Sequence, residues 1–149
     1  VSAAPESLPP AVAKILARFE AMGREEKMQA LVHYARKLEP VPERFADVPR
    51  DAHLVPECQT PVALFTAAEG GRLHFWADVN TRQSPTVAAF LAVTFAAVND
   101  QPPAVTLSLP ADYVSRMMGG IGLAARETGL NAMVARLKRH AREAADSSA

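Results

Sequence analysis

Cys58 is the single cysteine of the chain, in the run Val55-Pro56-Glu57-Cys58-Gln59-Thr60-Pro61-Val62. The prolines on either side bar regular helix, so the thiol is expected on a constrained loop. One thiol cannot close an internal disulfide, and alone it cannot hold an iron–sulfur cluster or a zinc ion. What remains is the chemistry of one nucleophilic sulfur. An ordinary thiol is only a few per cent ionised at neutral pH, so such a role needs a basic group brought near by the fold or by a partner. Arg50, His53, Arg72, Arg82 and Arg126 are the candidates, and the sequence does not choose among them. The neighbouring Glu57 opposes a thiolate by like charge. The plainer reading of a cysteine is a small buried hydrophobe, but its flanks here, Glu57 and Gln59, are not core residues.

Other polar groups are less promising. Histidines stand at 33, 53, 74 and 140 without metal-ligand spacing. His33 and His140 read as structural or solvated. His53 and His74 flank the cysteine in sequence, yet nothing nearby would orient a Cys–His pair. The basic run Arg136, Lys138, Arg139, His140 and Arg142 reads as the solvated end of a helix, where cations complement the dipole. Gly119-Gly120-Ile121-Gly122 follows no strand of a βαβ unit and is not a dinucleotide fingerprint.

Sixteen basic and sixteen acidic side chains cancel, so no overall field draws in nucleic acid or an acidic membrane. The lack of a disulfide staple is compatible with a reducing cytoplasm, the expected location. Pro5, Glu6, Pro9 and Pro10 interrupt any apolar run at the start, so no signal peptide is expected. The uncharged stretch between Arg82 and Asp100 is seventeen residues long, short of the roughly twenty a membrane span needs. It reads as a buried helix.

The 149 residues suit one domain, 1–149, with flexible ends at 1–8 and 145–149. Val12, Ile15, Leu16, Phe19 and Met22 predict a first helix entered through Pro9-Pro10 and stopped at Gly23. A second begins near Arg24, with Met28, Leu31, Val32, Ala35 and Leu38 as its inner stripe and Pro40 as its end. The two are expected to form an antiparallel pair. An ordered loop over 39–52 leads to strands at 62–67 and 72–78 joined by Glu69-Gly70-Gly71, and 53–55 is a short third strand candidate. Ser84-Pro85 opens the central apolar helix, which Pro102-Pro103 breaks. A short helix over 110–118 and a last one over 127–145, with Leu130, Met133, Val134 and Leu137 inward, complete an α+β two-layer sandwich of about three antiparallel strands covered by helices on one face.

The Pro-Glu-Cys-Gln-Thr-Pro run and the stretch Gly129-Leu130-Asn131-Ala132-Met133-Val134-Ala135-Arg136-Leu137-Lys138 together resemble the SufE family, sulfur acceptors that work with a cysteine desulfurase in iron–sulfur cluster assembly. The resemblance runs from about Pro9 to Ala144, with the N-terminal helices, the Pro40-Val41-Pro42-Glu43-Arg44 loop and the uncharged helix in the family's order. It implies that Cys58 carries a persulfide, with Glu57, Gln59 and Arg126 as loop or partner contacts. Arg126 lies in Arg126-Glu127-Thr128-Gly129-Leu130, similar to the family's Arg-x-x-Gly-Leu stretch. Many members have glycine where this chain has Glu57 and tryptophan where it has Ala63, which leaves the partner-facing contacts open.

The resemblance further implies a SufS-like desulfurase that supplies sulfur and a SufBCD-type scaffold complex that receives it. No nucleic acid or membrane partner is implied, and homodimerisation is left open. The resemblance implies no cofactor or metal of the protein's own, with pyridoxal phosphate belonging to the desulfurase. It reads as a sulfurtransferase-type carrier and desulfurase activator rather than a stand-alone enzyme. The rivals are a cluster scaffold, which normally draws on several cysteines, a one-cysteine thiol peroxidase, and a structural binding module.

Overall fold

A computed structural model describes residues 8–58, 60–120 and 126–147. Strands β1 (Val62–Glu69) and β2 (Arg72–Val79) pair antiparallel, with Val62 opposite Val79 and Glu69 opposite Arg72. Gly70 and Gly71 make the two-residue turn, both at positive φ (60° and 77°), as a tight hairpin twisted with its strands requires. The expected third strand shrinks to a single bridge, Leu54 to Ala63, because residues Arg50–His53 coil into a 3₁₀ turn instead of extending. Among the described residues the sheet therefore has two strands.

Alternation along the strands divides the core. Val62, Leu64, Leu73, Phe75 and Ala77 face the helices and join the main core, while Ala63, Phe65 and Trp76 face the other way. The 39–52 loop, not a helix, covers that second face with Val41, Phe45 and Val48. Arg44 lies 4.9 Å from the Trp76 ring centre and 5.3 Å from that of Phe45, a cation–π cover over the aromatic cluster.

Helix α3 (Pro85–Val98) is the central element and has eleven of its fourteen residues buried. Its buried Thr94 and the buried Tyr113, which lies beyond this helix, satisfy each other's hydroxyls at 2.8 Å. No described helix is long and apolar enough to cross a membrane. Helix α1 (Pro10–Glu20) buries Val12, Leu16 and Phe19. It packs on α3 and on α5 (Tyr113–Met118), and α2 (Arg24–Ala35) lies along α3. The expected helix pair thus packs mainly on α3 and α5 rather than as a hairpin, with Phe19 and Tyr34 touching at 6.2 Å between ring centres.

The inner face of α2 also differs from the predicted stripe. Met28 and Val32 are 41% and 53% exposed, whereas Lys27 is 6% exposed. The buried face runs Lys27, Leu31, Tyr34 and Leu38, one step round the helix from a purely apolar count. Lys27 can occupy it because its stem is apolar and its ammonium donates to the Gly119 carbonyl at 3.0 Å. That carbonyl ends α5 (Tyr113–Met118), where the helix dipole favours a cation.

Pro103, expected as a breaker, instead opens a short helix α4 (Pro103–Leu107) from its first position. Helix α5 starts three residues later than the predicted 110 and stops at Gly119, where a Cβ would sit 2.5 Å from the Ser115 carbonyl oxygen. Helix α6 (Glu127–Ser147) buries Leu130, Met133, Val134 and Leu137 as predicted and runs two residues beyond the expected end at 145, while 148–149 lie outside the described residues.

At the hairpin-turn end, His74 is held on both sides. Its Nδ1 lies 2.8 Å from Asp100 and its Nε2 2.8 Å from Glu39, beside a cavity of about 420 Å³. Two carboxylate acceptors on both ring nitrogens call for two N–H donors, which is the imidazolium form. Burial opposes that charge, but the hydrogen bonds and charges of Asp100 and Glu39 outweigh it and raise the His74 pKa above its usual 6.5. A raised folded-state pKa gives stability that is complete below 6.5 and lost as pH climbs through the folded value. Denaturant midpoints measured from pH 6 to 9 are therefore expected to fall for the wild type with a component that His74→Gln lacks. Identical pH profiles for the two would contradict the clasp.

Candidate functional site

The cysteine loop is built from a backbone turn. Val55, itself buried, donates its N–H to the Val62 carbonyl at 2.9 Å and so anchors the arm to the start of β1. The Val55 carbonyl then accepts the N–H of Cys58 at 3.2 Å, closing a four-residue turn. Pro56 occupies its second position, where a fixed φ favours the turn. Across the loop, the Ser84 hydroxyl donates to Thr60 at 2.7 Å and ties the exit of the loop to the start of α3. Glu57 is exposed at the tip, and Gln59 lies outside the described residues.

Cys58 is free, half-buried and packed against the main core. Its cover is the first turn of α6. A Cβ built on Gly129 would stand 3.2 Å from the Cys58 Cα, 3.4 Å from its Cβ and 3.5 Å from its Sγ. Glycine serves close approach here and not backbone freedom, since its φ is not in the left-handed region. The contact places the sulfur beside the amino end of a helix of twenty-one residues, where N–H groups lack intrahelical partners and the dipole is positive.

The five basic candidates are dispersed. Arg50 is bound to Asp78 at 2.7 Å. His53 directs Nδ1 at the Leu64 carbonyl, 3.2 Å away, and stacks on Phe65. Arg72 reaches the Asp100 carbonyl at the hairpin turn. His74, in the clasp there, pairs in register with Ala67, five residues and about 16 Å along the strand from the Val62 end. The two histidines that flank the cysteine in sequence are thus engaged elsewhere. Arg82 is exposed in the turn before Ser84. Arg126 is exposed, one residue before α6 begins and three before Gly129.

Sequence reading missed two contacts. One is Gly129, which appeared only as part of the Arg-x-x-Gly-Leu stretch. A lone glycine in the first turn of an otherwise regular helix is the signal that could have found it, because glycine there costs about 1 kcal/mol relative to alanine unless something fills its place. The other is Arg136, whose Nη2 donates to the Leu54 carbonyl at 3.3 Å. The basic run it belongs to lies in the body of α6, not in its last turn, so the dipole does not explain it. Lys138 of the same run donates to the Leu109 carbonyl at 2.5 Å. Among the described residues no three His, Cys, Asp or Glu side chains converge for a metal ion.

Comparison with known proteins places the chain in a family. The uncharacterized SufE-like protein of Mycobacterium tuberculosis, in strains CDC 1551 and H37Rv, is 34% identical over 149 residues, covering 95% of this chain and 98% of the relative. A solution structure of a hypothetical protein from Thermus thermophilus superposes with a TM-score of 0.76 at 27% identity, over 93% of this chain and 98% of that one. The model of the SufE Fe-S metabolism associated domain matches residues 13–141, and the chain belongs to that family.

Proposed function

We propose that this protein accepts sulfur from a cysteine desulfurase on Cys58 and passes it to an iron–sulfur cluster scaffold of the SufBCD type. The observation that carries the reading is the thiol itself, alone among the described residues, set by a proline turn and half-covered by Gly129. The family's link to Fe-S metabolism supports it.

In the transfer, the Cys58 thiolate attacks the outer sulfur of the desulfurase's cysteine persulfide. A new S–S bond forms to Cys58 as the donor's S–S bond breaks, and the donor cysteine leaves as a thiolate. The product is Cys58-S-SH, and no external oxidant or reductant is consumed. The amino end of α6 offers the persulfide anion a favourable field. Arg126, Glu57 and Gln59 are the residues beside the thiol in space or sequence that would meet the donor. A second cysteine near the site would attack the persulfide and release sulfide, so a lone thiol suits a carrier. Partial cover on the free protein protects the bound sulfur from stray reductants. The protein acts as carrier and activator, and pyridoxal phosphate resides in the desulfurase.

Sulfide release from cysteine, followed with a desulfurase alone and with this protein added, tests the reading. Wild type should raise the rate, and Cys58→Ser should leave it at the desulfurase's own level. Equal stimulation by both would remove the thiol from the mechanism.

A further inference from the structure

One stripe of α6 faces the arm that ends in Cys58. Gly129 touches Cys58, and Arg136, seven residues on, touches the Leu54 carbonyl. His140, one turn further, comes within electrostatic reach of His53. The rise of the helix puts Arg136 about 10 Å and His140 about 16 Å along the axis from Gly129. Arg139 stands beside this stripe with its side chain 59% exposed.

Four basic side chains from two elements, Arg136, Arg139, His140 and His53, thus gather on the flank of the thiol. Among the described residues the carboxylate that pairs with the group is Glu143, a marginal 4.0 Å from Arg139. Burial lowers the His140 pKa, and Arg139, Arg136 and His53 lower it further against Glu143. All three basic neighbours act on His140, so the four side chains lie in one patch, and its lasting charges at neutral pH are the guanidinium groups of Arg136 and Arg139. The chain as a whole carries no net charge, so this is an asymmetry of the surface and not of the composition.

Solvated helix cations alone do not account for the placement. Arg136 is bound to the very arm that presents the cysteine, and the cluster starts within about two helical turns of the sulfur. A protein that brings a persulfide to Cys58 along the α6 side would lay part of its surface against this flank. We propose that the Arg136–Arg139–His140–His53 surface is the docking ridge for an acidic patch on the sulfur-donor protein, orienting the donor's sulfur toward Cys58. The inference rests on the sulfur-acceptor reading of Cys58. A nucleic-acid occupant is less favoured, because among the described residues no exposed aromatic side chain is interleaved with these basic groups.

The test measures sulfur loading of Cys58 by a cysteine desulfurase from the same genome, supplied with L-cysteine, as a function of acceptor concentration and salt. Arg139→Glu reverses an exposed charge without touching the cysteine loop. Arg18→Glu, on an exposed position of α1, is the matched control. For wild type and control, the half-saturating concentration is expected to rise between about 50 mM and about 500 mM salt. For Arg139→Glu it should be higher on the order of tenfold at low salt, with the maximal rate kept, and should depend less on salt. Arg136→Glu, checked for wild-type circular dichroism, should act in the same direction. Half-saturation equal to wild type in both ridge variants, or an equal effect of Arg18→Glu, would overturn the ridge and leave the acceptor reading standing. If wild type itself takes up no sulfur, the acceptor reading is what fails.

Discussion

Gly129→Val is expected to reduce sulfur acceptance by about two orders of magnitude while leaving the helical fold in place. A Cβ at 129 already sits 3.2 Å from the Cys58 Cα, closer than most such contacts in folded proteins. Valine adds two further methyl groups on that side, and neither α6 nor the loop can yield freely. Helix α6 is fixed by Leu130, Met133, Val134 and Leu137 in the core. The loop is pinned by the Val55 hydrogen bonds and by Ser84 on Thr60. The cysteine turn must therefore move outward, and misplacing a reacting group by about 1 Å can cost about a hundredfold in rate.

Two readouts separate this from simple unfolding. The far-ultraviolet circular dichroism of the variant should match wild type. Its Cys58 should also react faster with iodoacetamide, because the sulfur has lost its cover. Wild-type rates of both alkylation and sulfur loading would show that Gly129 does not hold the thiol. Gly129→Ala is a milder probe, since the neighbours need give by only a few tenths of an ångström. Alanine also gains about 1 kcal/mol of helix propensity over glycine.

The second large effect is on stability. Phe90 lies at the middle of α3 with no exposed surface, and its ring centre is 5.7 Å from that of Tyr113. Phe90→Ala removes a large side chain where α3 meets the hydroxyl pair of Thr94 and Tyr113. Substitutions of this kind cost about 3–5 kcal/mol. That is a large share of the roughly 5–15 kcal/mol that separates a domain of this size from its unfolded state. Urea denaturation should show the midpoint falling accordingly with an unchanged slope. A loss under about 1 kcal/mol would mean that the core about α3 is looser than its packing indicates.

What can be read from the sequence follows a physical pattern. The turn at Gly70-Gly71, the stop at Gly119 and the all-round apolar α3 are legible because glycine and unbroken hydrophobicity act locally. The face of α2 is not. An apolar count places Met28 inside, and only the tertiary contact with Gly119 explains why Lys27 goes there instead. Residues 53–55 are a strand candidate with little support from propensity, and the 3₁₀ turn from Arg50 to His53 leaves a single bridge of the third strand.

At the site, the isolation of Cys58 between two prolines is visible from composition alone. Its cover is not, because Gly129 lies seventy-one positions further along the chain, and a glycine's value for close approach shows only when the second backbone is present. Arg136 escapes the sequence for a related cause. Its run reads as a helix end, while α6 continues eleven residues past it to Ser147 and turns the guanidinium toward Leu54.

The measurement that tests the central claim most directly is the intact mass of the protein after incubation with a cysteine desulfurase and L-cysteine, taken before and after reduction. The account predicts a reducible gain of about 32 Da for each sulfur atom on wild type and no gain on Cys58→Ser. An unchanged wild-type mass with an active desulfurase, or the same gain on Cys58→Ser, would contradict it.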